Sequence, residues 1–400
     1  MALGSHLPRR RPRLVIVDQF TWHQPLRELE NFAYYQRFAA HCERVDLYCS
    51  ATDDVGYEAV YGKLYVHALP GWRGSSGSLR FTARVGQLIR LLERQVHPDI
   101  YLIRDSLTVG LLGWWGSLLS RAPWVIEVRN DYLNPWSSKL TQWSPVKRWL
   151  MAALTGFWCR RASRVRAVSP AIVEDLVRVR VPRERILLYP SPIDTDLFDP
   201  ARYVEHRAEL RAAWGWQDAV VVAFAGALVP GKGVDILLRA LALANRPNLR
   251  LMLLGNGELL EALQAQAAEL GIQDQVRFCG YVPHATMPEH LAAADAFALP
   301  SRSEGLPRAA NEAGALALPV VLSSVSGNSN VVLHDQTGWV VDLTPEAFAE
   351  RLAQLADMTS EQRAGMGQAA RQWIVRQYSL AASESMIHDM LLAPYQESQR

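Results

Sequence analysis

An α/β fold of two doubly wound parallel sheets in tandem is predicted by three observations. Short β-rich runs alternate with helical patterns along most of the chain; the rhythm breaks at one proline-rich stretch and then resumes; and 400 residues, 49% of them hydrophobic, supply material for two cores. The first half contributes "RLVIVD" (13–18), "ERVDLYC" (43–49), "DIYLIR" (99–104), "WVIEVR" (124–129), "RVRAVS" (164–169) and "RILLY" (185–189). Near-continuous apolar runs of this length read as parallel strands covered on both faces. "YPSPIDTDLFDP" (189–200) fits neither the helical nor the strand period and reads as the linker. The second half repeats the pattern with "AVVVAFAG" (219–226), "LRLMLLG" (249–255), "QVRFCG" (275–280), "DAFALP" (295–300), "LPVVLS" (318–323) and "GWVVD" (338–342), and helical patterns fill the region from Pro345 to Pro394. The expected division is an N-terminal domain over 1–195, with a helix at about 380–400 packing back on it, and a C-terminal domain over 196–379. Ligands of open α/β sheets bind beyond the carboxyl ends of the strands, so a cleft between two such edges is the expected site.

A formal net charge of +2 argues against wholesale nucleic-acid binding, but the total conceals a basic segment. Residues 143–185 hold ten Lys or Arg against three acids, a net of +7. Cys42, Cys49, Cys159 and Cys279 have neither C-x-x-C pairing nor a histidine at ligand spacing, which argues against a zinc site or a disulfide framework and fits a reducing cytosol. The first residues read as a mature cytosolic start, because the apolar run after the basic ones is only strand-length and no small-residue cleavage site follows. "LTVGLLGWWGSLLS" (107–120) is too short to span a bilayer and reads as a core helix.

The chemistry concentrates in two stretches. In "AFAGALVPGKGVDILLRALALA" (223–244), Gly226 and the Gly231-Lys232 pair stand at the spacing of a nucleotide-triphosphate loop, but Gly233 occupies the place of the hydroxyl that ligates magnesium. The loop keeps a lysine and a helix start whose N–H groups can face an anion, and lacks the metal anchor. In "ALPSRSEGLPRAANEAGALALPVVLS" (298–323), a helix beginning near Pro307 puts Glu304 in the preceding loop and Glu312 in the second turn. A carboxylate can accept two hydrogen bonds from a vicinal diol, and a nucleotide sugar offers one diol on its sugar and one on its ribose. The plain alternative makes Glu304 a helix cap and Glu312 a solvated residue.

"GALVPGKGVDILLRAL", "LLGNGEL", "VRFCGYVP", "AADAFALPSRSEGLPRAANEA" and "LPVVLSSVSGN" occur in an order and spacing that resemble the carboxyl-terminal donor domain of glycosyltransferase family 4, whose members are retaining enzymes of GT-B fold. "SPAIVEDL" and "IDTDLF" extend the likeness into the linker; upstream of about Arg160 only the strand–helix rhythm is shared. The resemblance implies that Lys232 contacts the donor diphosphate, with Gly226 and Gly231 in its loop. It implies that Glu304 contacts the transferred sugar, that the Gly305 and Leu306 amides approach sugar and phosphate, and that Glu312 holds the ribose hydroxyls. Phe278 to Val282, with Tyr281, would border the base. The chain departs from the family at Ala227, where an arginine is usual, and in "EVRNDY", where Arg129 or Asn130 stands nearest the usual histidine. It departs also in "QFTWHQPLRELE" in place of a glycine-rich loop, at Ser191-Pro192 in the linker, and at Asn330 in place of an acid. Arg129 is the candidate to replace the lost positive charge, its alternative being a surface or interdomain salt bridge. Asp194-Thr195-Asp196 matches the linker signature rather than a metal site, and His284 and His290 read as surface or capping residues.

The expectation is therefore a metal-independent retaining glycosyltransferase with Glu304, Arg129 and Lys232 at the reaction centre and no cofactor. Its partners would be a nucleotide-sugar donor and a saccharide or lipid-linked saccharide acceptor, with no nucleic acid. An epimerase of the same architecture and a catalytically degenerate binding protein are the alternatives. Nine of the thirteen tryptophans precede Asp199, and "WSPVKRWLMAALTGFWCRR" (143–161) has an apolar middle with aromatic and basic ends. A core helix is the preferred reading, since apolar helices are usually buried, against an interfacial helix on an anionic membrane that would make the cytoplasmic protein peripheral.

Overall fold

The computed structural model describes residues 10–22, 32–51, 56–69, 97–104, 110–129, 144–325, 327–328 and 330–398. Asn130, Trp143, Leu107 to Val109, the first nine residues and most of "QFTWHQPLRELE" lie outside them. The chain divides into two compact units, Met1–Pro190 with Ser383–Arg400, and Ser191–Ala382.

Among the described residues unit 1 has eight strands: β1 (Arg13–Trp22), β2 (Arg44–Ala51), β3 (Tyr57–Tyr61), β4 (Leu64–Leu69), β5 (Ile100–Arg104), β6 (Trp124–Val128), β7 (Arg164–Ala167) and β8 (Ile186–Leu188). Their order is β3-β4-β2-β1-β5-β6-β7-β8, parallel except for β3 against β4. The described helices include α1 (Phe32–His41), α2 (Gly110–Ser120), α3 (Pro145–Cys159) and α4 (Pro170–Arg178). The β3–β4 hairpin is absent from the sequence reading. It turns through Gly62 at φ 64, and β4 alternates buried with half-buried residues instead of showing a continuous apolar run. Residues near the end of the chain return to this unit: Met386, Ile387, Met390 and Leu391 share one buried cluster with Leu14, Ile16 and Phe38.

Across the first sheet runs a row of buried charges. Asp18 pairs in register with Arg104, Arg104 with Glu127, and Glu127 with Arg166, so the four side chains alternate in sign on one face. Arg104 donates to Asp18 Oδ2 and Glu127 Oε2, and Arg166 donates to Glu127 Oε1, each at 2.7 Å. From α1, Tyr34 donates to Glu127 at 2.6 Å and Tyr35 to Asp18 at 2.5 Å. Burial alone would raise the Glu127 carboxyl, but Arg166, Arg104 and Arg129 hold it well below the usual carboxylate range. Burial pushes both tyrosines up, so they remain hydrogen-bond donors at neutral pH.

Unit 2 carries six parallel strands, β9 (Val220–Ala225), β10 (Leu249–Leu254), β11 (Val276–Gly280), β12 (Ala296–Leu299), β13 (Val320–Ser323) and β14 (Gly338–Val341), ordered β11-β10-β9-β12-β13-β14. Helices α5 (Val204–Trp214), α6 (Val234–Ala244), α7 (Leu260–Glu269), α8 (Arg308–Ala315), α9 (Pro345–Asp357) and α10 (Ser360–Tyr378) accompany them. Chain order reverses at β9, whose neighbours are β10 on one side and β12 on the other. That is the topological switch point at which ligands of such sheets bind.

Glu127→Gln tests the charged row. Removing one partner of a buried pair typically costs about 3 to 5 kcal/mol, and urea unfolding at neutral pH should show a loss of that size. Glu127 titrates below its ordinary value of 4.5, so its contribution is complete above that value and fades as the pH falls from it toward the depressed native value. The variant should therefore lack that part of the parent's acid destabilisation. Equal stability of the two at neutral pH would show the row to be energetically idle.

Candidate functional site

At the switch point of unit 2, the loops after β9 and β12 meet. The first passes through Gly226, at φ 156, and a short turn, Pro230–Lys232, before α6 begins at Gly233. Gly233 has φ 67, and a Cβ there would stand 2.0 Å from the carbonyl oxygen of Pro300, so the two loops touch where only glycine fits. The Arg302 amide donates to the Gly231 carbonyl at 2.8 Å, and the Arg302 guanidinium pairs with Asp235 at 2.9 Å, pinning the loops together twice more.

This contact brings Lys232 to Glu304. The ammonium Nζ donates to Oε1 at 2.7 Å, joining residues 72 apart in sequence. Glu304 is buried while the lysine is about a third exposed, so the carboxylate is fixed and the cation reaches solvent. Behind Glu304, Gly327 packs so closely that a Cβ would lie 2.7 Å from the Gly305 carbonyl oxygen and 2.8 Å from that of Glu304. The Gly305 and Leu306 backbone is thereby held two or three residues before the start of α8.

Glu312 lies in the second turn of α8 and is buried rather than solvated. Its Oε1 stands 3.1 Å from His284 Nε2 and 3.6 Å from the Arg308 guanidinium. The surface or capping reading of His284 therefore falls: the ring is the partner of Glu312, and its position three residues after Tyr281, at the carboxyl end of β11, is the signal that could have revealed it. His290 keeps a local role, with Nδ1 3.1 Å from the Thr286 carbonyl. Tyr281 is 77% exposed beside this corner. Asp194 accepts hydrogen bonds from the Leu197 amide at 3.0 Å and the Asp196 amide at 3.2 Å, which gives the D-x-D triplet a turn-forming role. No group of three or more His, Cys, Asp or Glu that could hold a metal ion occurs among the described residues.

Arg129 belongs to unit 1, just after β6, and its guanidinium donates to Asp18 Oδ1 at 2.9 Å. Its partner is neither a surface acid nor one in the other unit but the buried end of the charged row. Burial would lower its pKa, and Asp18 holds it above the ordinary value instead. Sequence reasoning missed the row because each member sits at or near the end of its apolar run, where a charge reads as a boundary.

Both halves of the chain match glycosyltransferase models: residues 206–373 match the family described as glycosyl transferases group 1, and 32–192 match the glycosyl transferase 4-like domain. The chain has the GT-B fold, and each of its halves is similar to a glycosyltransferase domain. Among curated relatives, a GDP-mannose-dependent alpha-(1-6)-phosphatidylinositol monomannoside mannosyltransferase of Mycolicibacterium smegmatis is 36% identical over 50% of this chain and 55% of its own length. The chain thus spans about half the length of that relative. An alpha-D-kanosaminyltransferase of Streptomyces kanamyceticus is 26% identical over 90% of each chain. The structure of Anabaena Alr3699/HepE in complex with UDP-glucose superposes with a TM-score of 0.75 at 20% identity, covering 96% of this chain and all of that one.

The two loop glycines should separate stability from binding. Gly233→Ala forces a side chain against Pro300 at positive φ and should destabilise unit 2 by more than about 1 kcal/mol. Gly231→Ala meets nothing within 4 Å and should melt like the parent. Thermal melts of the two variants check this, and equal melting temperatures would show that the two loops are not locked together.

Proposed function

We propose that this chain is a glycosyltransferase that moves a sugar from a nucleoside-diphosphate sugar held on unit 2 to a saccharide or lipid-linked saccharide acceptor, with retention of anomeric configuration and without a divalent metal. The observation that carries the proposal is the Lys232–Glu304 pair at the switch point, with the buried Glu312 on the adjoining helix. A partly exposed cation pairs with a buried carboxylate there, and a second buried carboxylate pairs with His284, three residues after the exposed Tyr281. A diphosphate arriving at the loop offers Lys232 a doubly charged partner and frees Glu304 to accept hydrogen bonds from sugar hydroxyls. Glu312, oriented by His284 and Arg308, would accept from the ribose diol, with Tyr281 bordering the base. The Gly305 and Leu306 amides, next to the α8 start, would meet the sugar and phosphate oxygens.

The proposed mechanism needs no protein nucleophile. The leaving diphosphate departs and the acceptor attacks on the same sugar face, passing its proton to a departing phosphate oxygen. The protein's contribution is charge stabilisation and positioning. Ala227 stands where the family resemblance leads one to expect a cation, and Arg129 is the replacement we propose. The relatives support the donor class: one is named for GDP-mannose, and Alr3699/HepE is bound to UDP-glucose, both nucleoside-diphosphate sugars.

Lys232→Ala removes a hydrogen bond to a charged group, typically about 1.5 to 3 kcal/mol, and should weaken nucleoside-diphosphate binding by about 10- to 150-fold in calorimetry. Glu304→Gln should act in the opposite sense on binding, because it releases Lys232 from its carboxylate, while transfer falls by about 100-fold or more. Lys232→Ala binding as the parent does would remove this residue from the donor site. Loss of transfer in EDTA, restored by Mg²⁺, would overturn the metal-independent mechanism. A product of opposite anomeric configuration would overturn retention.

A further inference from the structure

Helix α3 is apolar on both sides. Met151, Ala152, Trp158 and Cys159 are buried, as the core reading of this segment requires, but the opposite stripe is not covered. Val146 is 79% exposed, Trp149 58% and Leu150 56%, with Leu154 one turn further on the same stripe. The i, i+3, i+4, i+8 spacing is that of a continuous helix face. The neighbouring α2 is fixed to α3 through Gly110, where a Cβ would lie 2.6 Å from the Trp158 ring. It too presents large apolar residues, Leu118 and Leu119, so over Gly110–Ser120, the described part of that segment, the core reading holds for one face only.

The charge on these elements has one sign. Neither α2 nor α3 contains an acid, whereas Lys147 and Arg148 lie within α3 and Arg160 and Arg161 follow its end. Not all of the net +7 of 143–185 is at the surface: Arg166 is consumed inside the buried row and Arg164 pairs with Glu397. The basic residues around α3 itself remain at or near the surface. A half-exposed tryptophan, aliphatic neighbours and flanking cations without acids match the interfacial zone of a bilayer, where the ring sits at headgroup level and the cations meet lipid phosphates. No helix among the described residues is long and apolar enough to cross a membrane, so the contact would be peripheral.

We propose that the outer face of α3, with α2 beside it, docks unit 1 on the surface of an anionic lipid bilayer. The proposal does not rest on the donor site, which lies in unit 2; if both hold, the acceptor is lipid-linked, because the enzyme is held where such acceptors reside.

The test is co-sedimentation of the full chain with vesicles of phosphatidylcholine alone and of phosphatidylcholine with phosphatidylglycerol, alongside melting temperature and light scattering. The parent should pellet with the anionic vesicles, more weakly in high salt, and its tryptophan emission should shift to the blue. Each basic residue near an anionic leaflet is worth about fivefold in partitioning, so Lys147→Glu should reduce binding by at least about fivefold. Trp149→Ser with Leu150→Ser should abolish the salt-resistant part, leave the melting temperature unchanged, and leave nucleoside-diphosphate binding intact. Failure of the parent to bind anionic vesicles would overturn the proposal, as would unchanged binding by both variants. A collapsed melting temperature in the double serine variant would place the face in the core. A parent dimer that the same variant dissolves, without lipid binding, would assign it to a second copy of the chain.

Discussion

Arg104 is buried between two carboxylates, and much of unit 1 is arranged to make that tolerable. An isolated charge in a protein interior costs several kcal/mol, so the guanidinium requires partners on both sides. Register supplies them: Asp18 on β1 and Glu127 on β6 flank β5, and Arg166 on β7 continues the alternation. Tyr34 and Tyr35 fill acceptor positions on the carboxylates that the arginines leave open, which fixes α1 over the sheet. At the far end, Arg166 donates to the carbonyls of Tyr189 and Pro190, the last residues of the first segment of unit 1. At the near end, Asp18 holds Arg129. A single row of charges therefore sets the position of the one cation in this unit that the proposed chemistry calls upon.

Unit 2 solves the same edge by different means. Its loops are held by backbone contact at glycines rather than by buried charge: Gly233 against Pro300, Gly327 against Gly305, and Gly255 against Gly226, where a Cβ would lie 1.9 Å from the carbonyl oxygen. Close backbone packing leaves the polar side chains of the loops for the ligand. Lys232 and Glu304 are bonded to one another across a seam whose spacing is set by atoms that cannot move apart without breaking the fold. In the proposed function a diphosphate would replace Glu304 as the partner of Lys232, and a pair already held in place suits that positioning.

Helix α3 shows how far periodicity carries an argument. Its apolar residues occupy almost every turn position, so the sequence gives no polar face from which to infer which side is inward. The structure divides the helix, placing Trp158 against α2 and Trp149 outward. Neither the core reading nor the interfacial reading was complete, because each assumed a helix with one environment.

The sequence by itself determined the number and type of most elements and the location of the candidate donor residues. Twelve of the fourteen strands among the described residues are legible, most of them because strands buried on both faces read as unbroken apolar runs. The loop glycines and the Glu304–Glu312 spacing are local features, and local features survive in a linear text. The β3–β4 hairpin was not legible, since its alternating, half-exposed residues resemble surface loop. Partnership was not legible either: Lys232 with Glu304, His284 with Glu312, and Asp18 with Arg104, 86 residues away, are chosen by strand order and register. Those follow from the packing of whole sheets, where the cost of each buried charge is weighed against every neighbour, and no window of sequence contains both members of such a pair. Which face of α3 is covered belongs to the same class, because it depends on where α2 lies.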